Sequence, residues 1–224
     1  MRRDRDGHRR VDVGQAPTTG VTATPFRDLL AMPGVREVCE RRGRLGFMAY
    51  HGGSLEALTD VVASRAAQRC GASYYGVLQP ADFTSHIPSH RVSAHESETL
   101  AAFVDHVDVV ITIHGYGRHG FWTTLLLGGQ NRPLADHVAG HLRTHLADYT
   151  IETDLDAMPR ELRGLHATNP VNVPRQKGVQ IELPPRVRGA SPIWKDWKGP
   201  GLVPHTESLI DGLVAAAQSW PLRG

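Results

Sequence analysis

Two apolar segments that each end in a histidine and a glycine constrain the fold of this chain more than any other feature. Residues 45–51 read LGFMAYH before Gly52, and residues 107–114 read VDVVITIH before Gly115. Their apolar and β-branched residues are typical of buried strands, and the glycines are typical of tight turns. The sequence therefore predicts two central strands that each carry an imidazole to the carboxyl end.

Helical and strand patterns alternate along the rest of the chain. The predicted strands lie at 45–51, 73–77, 107–114, 121–127 and 178–183, and the predicted helices follow residue 55 and cover 96–106, 134–146 and 206–220. Ser54 and Thr206 are expected to cap the helices that begin beside them. Such alternation predicts an α/β fold, in which an open, mixed and mostly parallel sheet carries helices on both faces.

Length and composition indicate one folded domain behind an N-terminal arm. The chain has 224 residues, 40% of them hydrophobic, and no shift in composition divides it, so residues 26–224 are expected to share one core. Residues 1–25 begin with the basic segment MRRDRDGHRR and continue into a stretch rich in Thr, Gly and Pro. This composition predicts a disordered or extended arm.

Charge and hydropathy argue against several kinds of partner. A net charge of +2 is too small to create a broad field that would bind nucleic acid. No apolar stretch approaches the ~20 residues that cross a bilayer, and the first residues contain no core of a signal peptide. The two cysteines form no CxxC pair, which fits a reducing compartment. We therefore expect a cytoplasmic protein that binds neither nucleic acid nor membrane.

A zinc site is predicted where the two histidine-ended strands stop. Catalytic zinc often has two histidine ligands and one carboxylate, and it keeps a fourth position for water. The segment from His51 to Glu56 (HGGSLE) offers an imidazole and a carboxylate, with glycines that let the backbone fold between them. His114 would be the third ligand, since functional groups collect beyond the carboxyl ends of such strands. The alternative is structural: 13 histidines make chance pairs easy, and Glu56 could serve only the helix dipole.

Glu182 is the candidate that would take a proton from the attacking water. It lies in the strand GVQIEL, where alternation places Gln180 and Glu182 on one face. A carboxylate near the metal suits this role. The competing interpretation is a solvated face on an edge strand. A serine nucleophile is disfavoured, because the sequence contains no GxSxG elbow.

Six ordered blocks of the sequence resemble the poly-γ-glutamate hydrolase family, which is associated with phages of polyglutamate-coated bacteria and is distantly related to the zinc carboxypeptidases. Together they span roughly residues 45 to 190. The blocks are HGGSLE at 51–56, HRVSA at 90–94, IHG at 113–115, LLGG at 126–129, NPVN at 169–172 and GVQIELPPRVR at 178–188.

The resemblance implies a carboxypeptidase-like sheet that holds one zinc ion on His51, Glu56 and His114. Glu182 matches the family's catalytic glutamate. The family's substrate is an anionic γ-glutamyl chain, so an anionic peptide or amide is the expected partner, and cationic and amide side chains should line the cleft. The candidates for substrate binding are His90, Asn169, Asn172, Arg175, Arg186 and Arg188.

Two departures from the family pattern leave the substrate open. Val173 follows Asn172 where the family usually has arginine, and the residues after the HRVSA block differ from the usual ones. Two rival functions therefore stand beside γ-glutamyl hydrolysis. One is an amidase or deacylase that acts on small acylated amino acids, and the other is an inactive zinc-binding interaction protein of the same fold.

Overall fold

A seven-stranded sheet with helices on both faces forms the body of the protein. The computed structural model describes residues 25–222. The strands are β1 (Arg36–Glu40), β2 (Leu45–Gly53), β3 (Ser73–Gln79), β4 (Val109–Gly115), β5 (Thr124–Gly128), β6 (Thr150–Glu152) and β7 (Gly178–Leu183). The α-helices over these residues are α1 (Phe26–Leu30), α2 (Thr59–Cys70), α3 (Glu98–His106), α4 (Arg132–His145) and α5 (Pro204–Ser219).

The strands are ordered β1-β3-β2-β4-β7-β5-β6 across the sheet. β2 runs parallel to both β3 and β4, β4 runs parallel to β7, and β5 runs parallel to β6. Only the pairs β1–β3 and β5–β7 are antiparallel. The predicted open sheet, mixed but mostly parallel, is therefore confirmed.

Alternation along the central strands builds a separate core on each face of the sheet. In β4, Ile111 and Ile113 join the core beneath α2, α4 and α5, whereas Val110 joins the core beneath α1 and α3. β7 follows the same rule, since Val179 and Ile181 belong to the first core. The face of the sheet opposite α2 consequently receives the polar residues of β7 and the side chain of His114.

The interpretation of β7 as an edge strand is wrong. β7 lies between β4 and β5, and all six of its residues are buried. The prediction also omitted β1, β6 and α1, which are short elements of three to five residues. Such short segments have too few residues to show a clear period, and those of β1 are only partly buried.

Both predicted helix caps are wrong. α2 begins at Thr59 after Leu58, and the exposed Ser54 lies in the preceding turn, where its backbone N–H donates to Gln79. α5 begins at Pro204, which suits a first helical position because its φ is fixed. Thr206 lies inside that first turn, and its hydroxyl donates to the Val187 carbonyl at 2.7 Å.

Three further predictions concern the N-terminal arm, membrane-spanning helices and the cysteines. The arm predicted at 1–25 lies outside them, apart from Pro25. None of the helices in the described range is long and apolar enough to span a membrane. Cys39 and Cys70 are both free thiols.

Candidate metal centre and active site

A β-bulge in β2 brings the two strand-end histidines together. Ala49 pairs with Gly76 of β3 and Gly52 pairs with Leu78, so β2 contains one more residue than its neighbour over this interval. Strict alternation would point His51 to the α2 face together with Ala49, and a bulge re-aims a side chain in this way. The ring centroids of His51 and His114 are 4.9 Å apart, and each side chain is almost completely buried.

Glu56 completes a group of three between the two imidazoles. The backbone N–H of Glu56 closes the turn before α2 by donating to the His51 carbonyl at 2.9 Å. Its Oε1 lies 2.9 Å from Nδ1 of His51, and its Oε2 lies 3.3 Å from Nδ1 of His114. Oε2 also accepts the backbone N–H of Gly115 at 2.8 Å. One potential ligand atom from each of the three residues lies within 4.8 Å of the others.

The hydrogen bonds of this group favour a cation between its members. Nε2 of His51 lies 2.8 Å from the Ile87 carbonyl, which can only accept, so Nε2 carries the proton. In the neutral ring, Nδ1 then presents a lone pair to the Glu56 carboxylate, and two acceptors face each other unless a proton or a cation lies between them. Nε2 of His114 is buried and has no hydrogen-bond partner among the described residues. Two imidazoles and a carboxylate are ligands that zinc prefers, so the residues present fit this ion.

The charges around Glu56 also favour a metal site. Burial opposes its ionisation, but the imidazoles of His114 and His51 hold the pKa of its carboxyl well below the usual range. Glu56 is therefore expected to be a carboxylate at neutral pH, as a metal ligand must be.

Glu182 lies beside this group on the neighbouring strand. It stands opposite His114 in the register of β4 and β7, and its side chain is buried. Burial, opposed by the His114 imidazole and reinforced by Glu56, raises the pKa of Glu182 to about 7. A carboxyl group whose pKa lies near neutrality can both accept and return a proton.

A chain of directed hydrogen bonds holds the Glu182 carboxylate. The hydroxyl of Tyr50 donates to Oδ1 of Asn169 at 2.9 Å, and Nδ2 of Asn169 donates to Oε1 of Gln180 at 2.8 Å. Nε2 of Gln180 then donates to Oε1 of Glu182 at 2.9 Å. Sequence reasoning did not assign Tyr50 or Gln180 to the site, although the alternation in β7 placed Gln180 and Glu182 on one face. The polar atoms of the Asn169 side chain are thus used inside the protein.

Arg188 lies under the site instead of lining it. Its side chain is almost completely buried, with Nη1 donating to the Ala57 carbonyl at 2.7 Å and Nε donating to the Leu183 carbonyl at 3.2 Å. A Cβ on Gly115 would lie only 2.7 Å from its guanidinium carbon. The guanidinium therefore ties together the segments that carry Glu56, His114 and Glu182.

The other candidates for substrate binding are spread over the molecule. His90 is exposed at the mouth of the site, 4.8 Å from the ring of His166. Asn172 is buried and donates to the carbonyls of Gly164 and His166. Arg175 pairs with Asp108 at 3.4 Å, and Arg186 lies over the ring of Tyr149. Arg175 and Arg186 do not line the cavity above the metal group.

An open cavity of about 590 Å³ lies directly above the metal group. Its walls come from the loops after β3, β4 and β6. Besides the three grouped residues and Glu182, the lining includes basic side chains that sequence reasoning did not single out. These are His86, Arg160 and His166. Glu161, which pairs with Arg118, also lines the cavity.

Comparisons with known proteins show the family and the fold. The family model described as poly-gamma-glutamate hydrolase matches residues 33–194. A bacteriophage poly-gamma-glutamate hydrolase of known structure superimposes with a TM-score of 0.63 at 17% identity, covering 82% of this chain and 88% of that one. YNDL, solved in a zinc-free apo form, superimposes with a TM-score of 0.69 at 17% identity, covering 83% and 90%. No curated protein sequence matches the chain significantly.

Proposed function

Because the chain belongs to the poly-gamma-glutamate hydrolase family, and is therefore a hydrolase, we propose that it cleaves γ-glutamyl amide bonds with a zinc ion held by His51, Glu56 and His114. The observation that carries this proposal is the convergence of two buried imidazoles on one carboxylate. Glu182, on the next strand, stands beside the same point. These residues are the parts that metal-assisted hydrolysis requires.

In this mechanism Glu182 transfers the proton and Gln180 positions Glu182. Zinc, when bound, polarises a scissile carbonyl and lowers the pKa of water to about 7. Glu182 accepts the proton of the attacking water and returns it to the leaving amine. In the metal-free protein burial raises the pKa of Glu182 to about 7, and a bound zinc ion would lower it and favour the carboxylate that accepts the proton. Gln180 keeps the Glu182 carboxyl group in place by donating its amide N–H to Oε1.

The substrate class is supported by the walls of the cavity. His86, His90, Arg160 and His166 surround the metal group on the open side. An anionic chain gains from these side chains, and an uncharged amide does not. A small acylated amino acid would favour a small closed pocket, whereas the cavity above the metal group is open.

The decisive experiment measures metal content and hydrolysis on the same preparation. We expect the purified protein to carry one zinc ion per chain, to shorten poly-γ-glutamate, and to lose this activity with a chelator and regain it with zinc. α-Linked polyglutamate is the matched control, because it has the same charge but a different amide bond. Bound zinc without cleavage of either polymer would favour the inactive interaction protein instead.

A further inference from the structure

A second groove begins where the cavity above the metal group ends. It has a volume of about 450 Å³ and shares His90 with that cavity. The boundary is fixed, because Thr168 donates its hydroxyl to the His90 carbonyl at 2.6 Å and the His90 ring lies against His166. A chain that leaves the metal group past His90 therefore enters this groove directly.

The floor of the groove is apolar and its rim is basic. Val92, Leu100, Val104 and Pro170 form the buried floor. Exposed side chains of His90, Arg91 and His95 line the groove. The one acidic residue that lines it is Glu96, and its Oε2 accepts the backbone N–H of Arg27 at 3.1 Å. The rim therefore carries three basic side chains, two of them histidines, against one acidic side chain.

This combination matches the chemistry of a γ-linked glutamate chain. Each unit of such a chain carries methylene groups in its main chain and a carboxylate that projects from it. The methylene groups can pack against an apolar floor, while the carboxylates reach the basic rim. An α-linked chain lacks methylene groups in its main chain and fits the floor less well.

We propose that the groove is an extended subsite that binds the γ-glutamyl chain beyond the scissile bond. This inference rests on the proposed function and adds to it a reason for preferring long substrates. Binding in the groove lowers the free energy only of substrates long enough to reach past His90. A dipeptide with a single γ-glutamyl bond gains nothing from it.

The test changes the rim and the groove without touching the metal group. His95→Glu should lower kcat/KM for a long γ-glutamyl oligomer by about threefold to fivefold, and His95→Lys should not lower it, as expected for one exposed charge. Ala167→Trp places an indole at the exposed edge of the groove and should lower kcat/KM by about tenfold, the equivalent of some 50 Å² of lost apolar contact. Ala147→Trp, at an exposed position after α4, is the matched control. Hydrolysis of the dipeptide should be unchanged in all four variants.

Binding to the Glu182→Gln protein separates this inference from the proposed function. The affinity of the long oligomer for Glu182→Gln is measured by calorimetry with and without Ala167→Trp. If the wild type cleaves γ-glutamyl bonds but the groove variants affect dipeptide and oligomer equally, the subsite is refuted and the function stands. If the wild type cleaves nothing and Ala167→Trp still weakens oligomer binding, the function fails and the subsite stands. A change of oligomeric state in Ala167→Trp would assign the groove to a second copy of the chain and overturn the inference.

Discussion

His51 and His114 at the edge of the sheet, and His137 and His141 on α4, are two histidine pairs with the same spacing of 4.9 Å between ring centroids. The first pair is buried, and the Glu56 carboxylate lies between its Nδ1 atoms. The second pair is partly exposed. Its Nε2 atoms lie 3.2 Å and 2.9 Å from the hydroxyl oxygen of Ser219.

The difference lies in the partners of the rings, because their separation is the same. His137 and His141 are satisfied by neutral groups: the Ser219 hydroxyl and, for His137, the Ala216 carbonyl at 3.0 Å. The strand-end pair faces a carboxylate and leaves a buried ring nitrogen without a partner in the described range. A histidine pair thus becomes a candidate for catalysis when buried negative charge is placed between the rings, and proximity alone is not enough.

Replacing one histidine in each pair should produce the largest contrast. We expect His114→Ala to lose stoichiometric zinc and all measurable hydrolysis, since a catalytic site needs three protein ligands. His141→Ala should keep both. Metal analysis and the polymer assay on the two variants check this. Loss of the bound zinc from His141→Ala alone would move the metal centre to α4.

Glu182, the carboxyl group beside the strand-end pair, can be changed without removing a ligand. Glu182→Gln keeps the shape of the side chain but cannot accept the proton. Turnover should fall by about 10²–10⁴-fold, the usual contribution of a general base, while zinc stays bound. Activity that survives in a zinc-loaded Glu182→Gln protein would remove Glu182 from the mechanism.

The two pairs should also respond to pH in opposite directions. In the metal-free protein, the pKa of Glu182 is raised from 4.5 to about 7. Its contribution to stability is therefore complete below pH 4.5 and is lost as the pH rises through about 7. Burial and the neighbouring His137 lower the pKa of His141, so its contribution is lost as the pH falls below its ordinary value of 6.5.

Denaturant titrations of the chelated protein can measure the Glu182 contribution. The stability of Glu182→Gln relative to wild type should increase by about 3 kcal/mol between about pH 5 and pH 8, the equivalent of a shift of some two pKa units. Glu56 is present in both proteins, and its lowered pKa places its own titration below this pH interval. A difference that does not depend on pH would show that Glu182 has an ordinary pKa in the fold.

Much of the strand-end pair could be predicted from the sequence because its parts are local. The apolar run before His51, the glycines after it and the β-branched run before His114 each give a strand and its end. The alternation in β7 placed Glu182 and Gln180 on one face. Packing of these strands side by side then follows from the topology of an α/β sheet.

The remaining features depend on distances that the sequence does not contain. The bulge that turns His51 toward His114 is a change of register between β2 and β3. No residue type in this segment predicts it. Arg188 directs its guanidinium inward to the Ala57 and Leu183 carbonyls, whereas the family resemblance predicted that it would line the cleft. Asn169 meets Tyr50 across 119 positions of the chain.

Gln180 should give the smallest effect, because it acts only on the position of Glu182, the carboxyl group beside the strand-end pair. Gln180→Leu keeps the volume of the side chain and removes the N–H that donates to Glu182. A hydrogen bond to a charged group contributes about 1.5–3 kcal/mol, so kcat should fall by about tenfold or more while KM and zinc content stay the same. Gln130→Leu is the control, since its amide bonds to the Leu165 carbonyl and to Lys177 and not to Glu182. A rise of KM at constant kcat in Gln180→Leu would mean that Gln180 contacts the substrate and does not position the base.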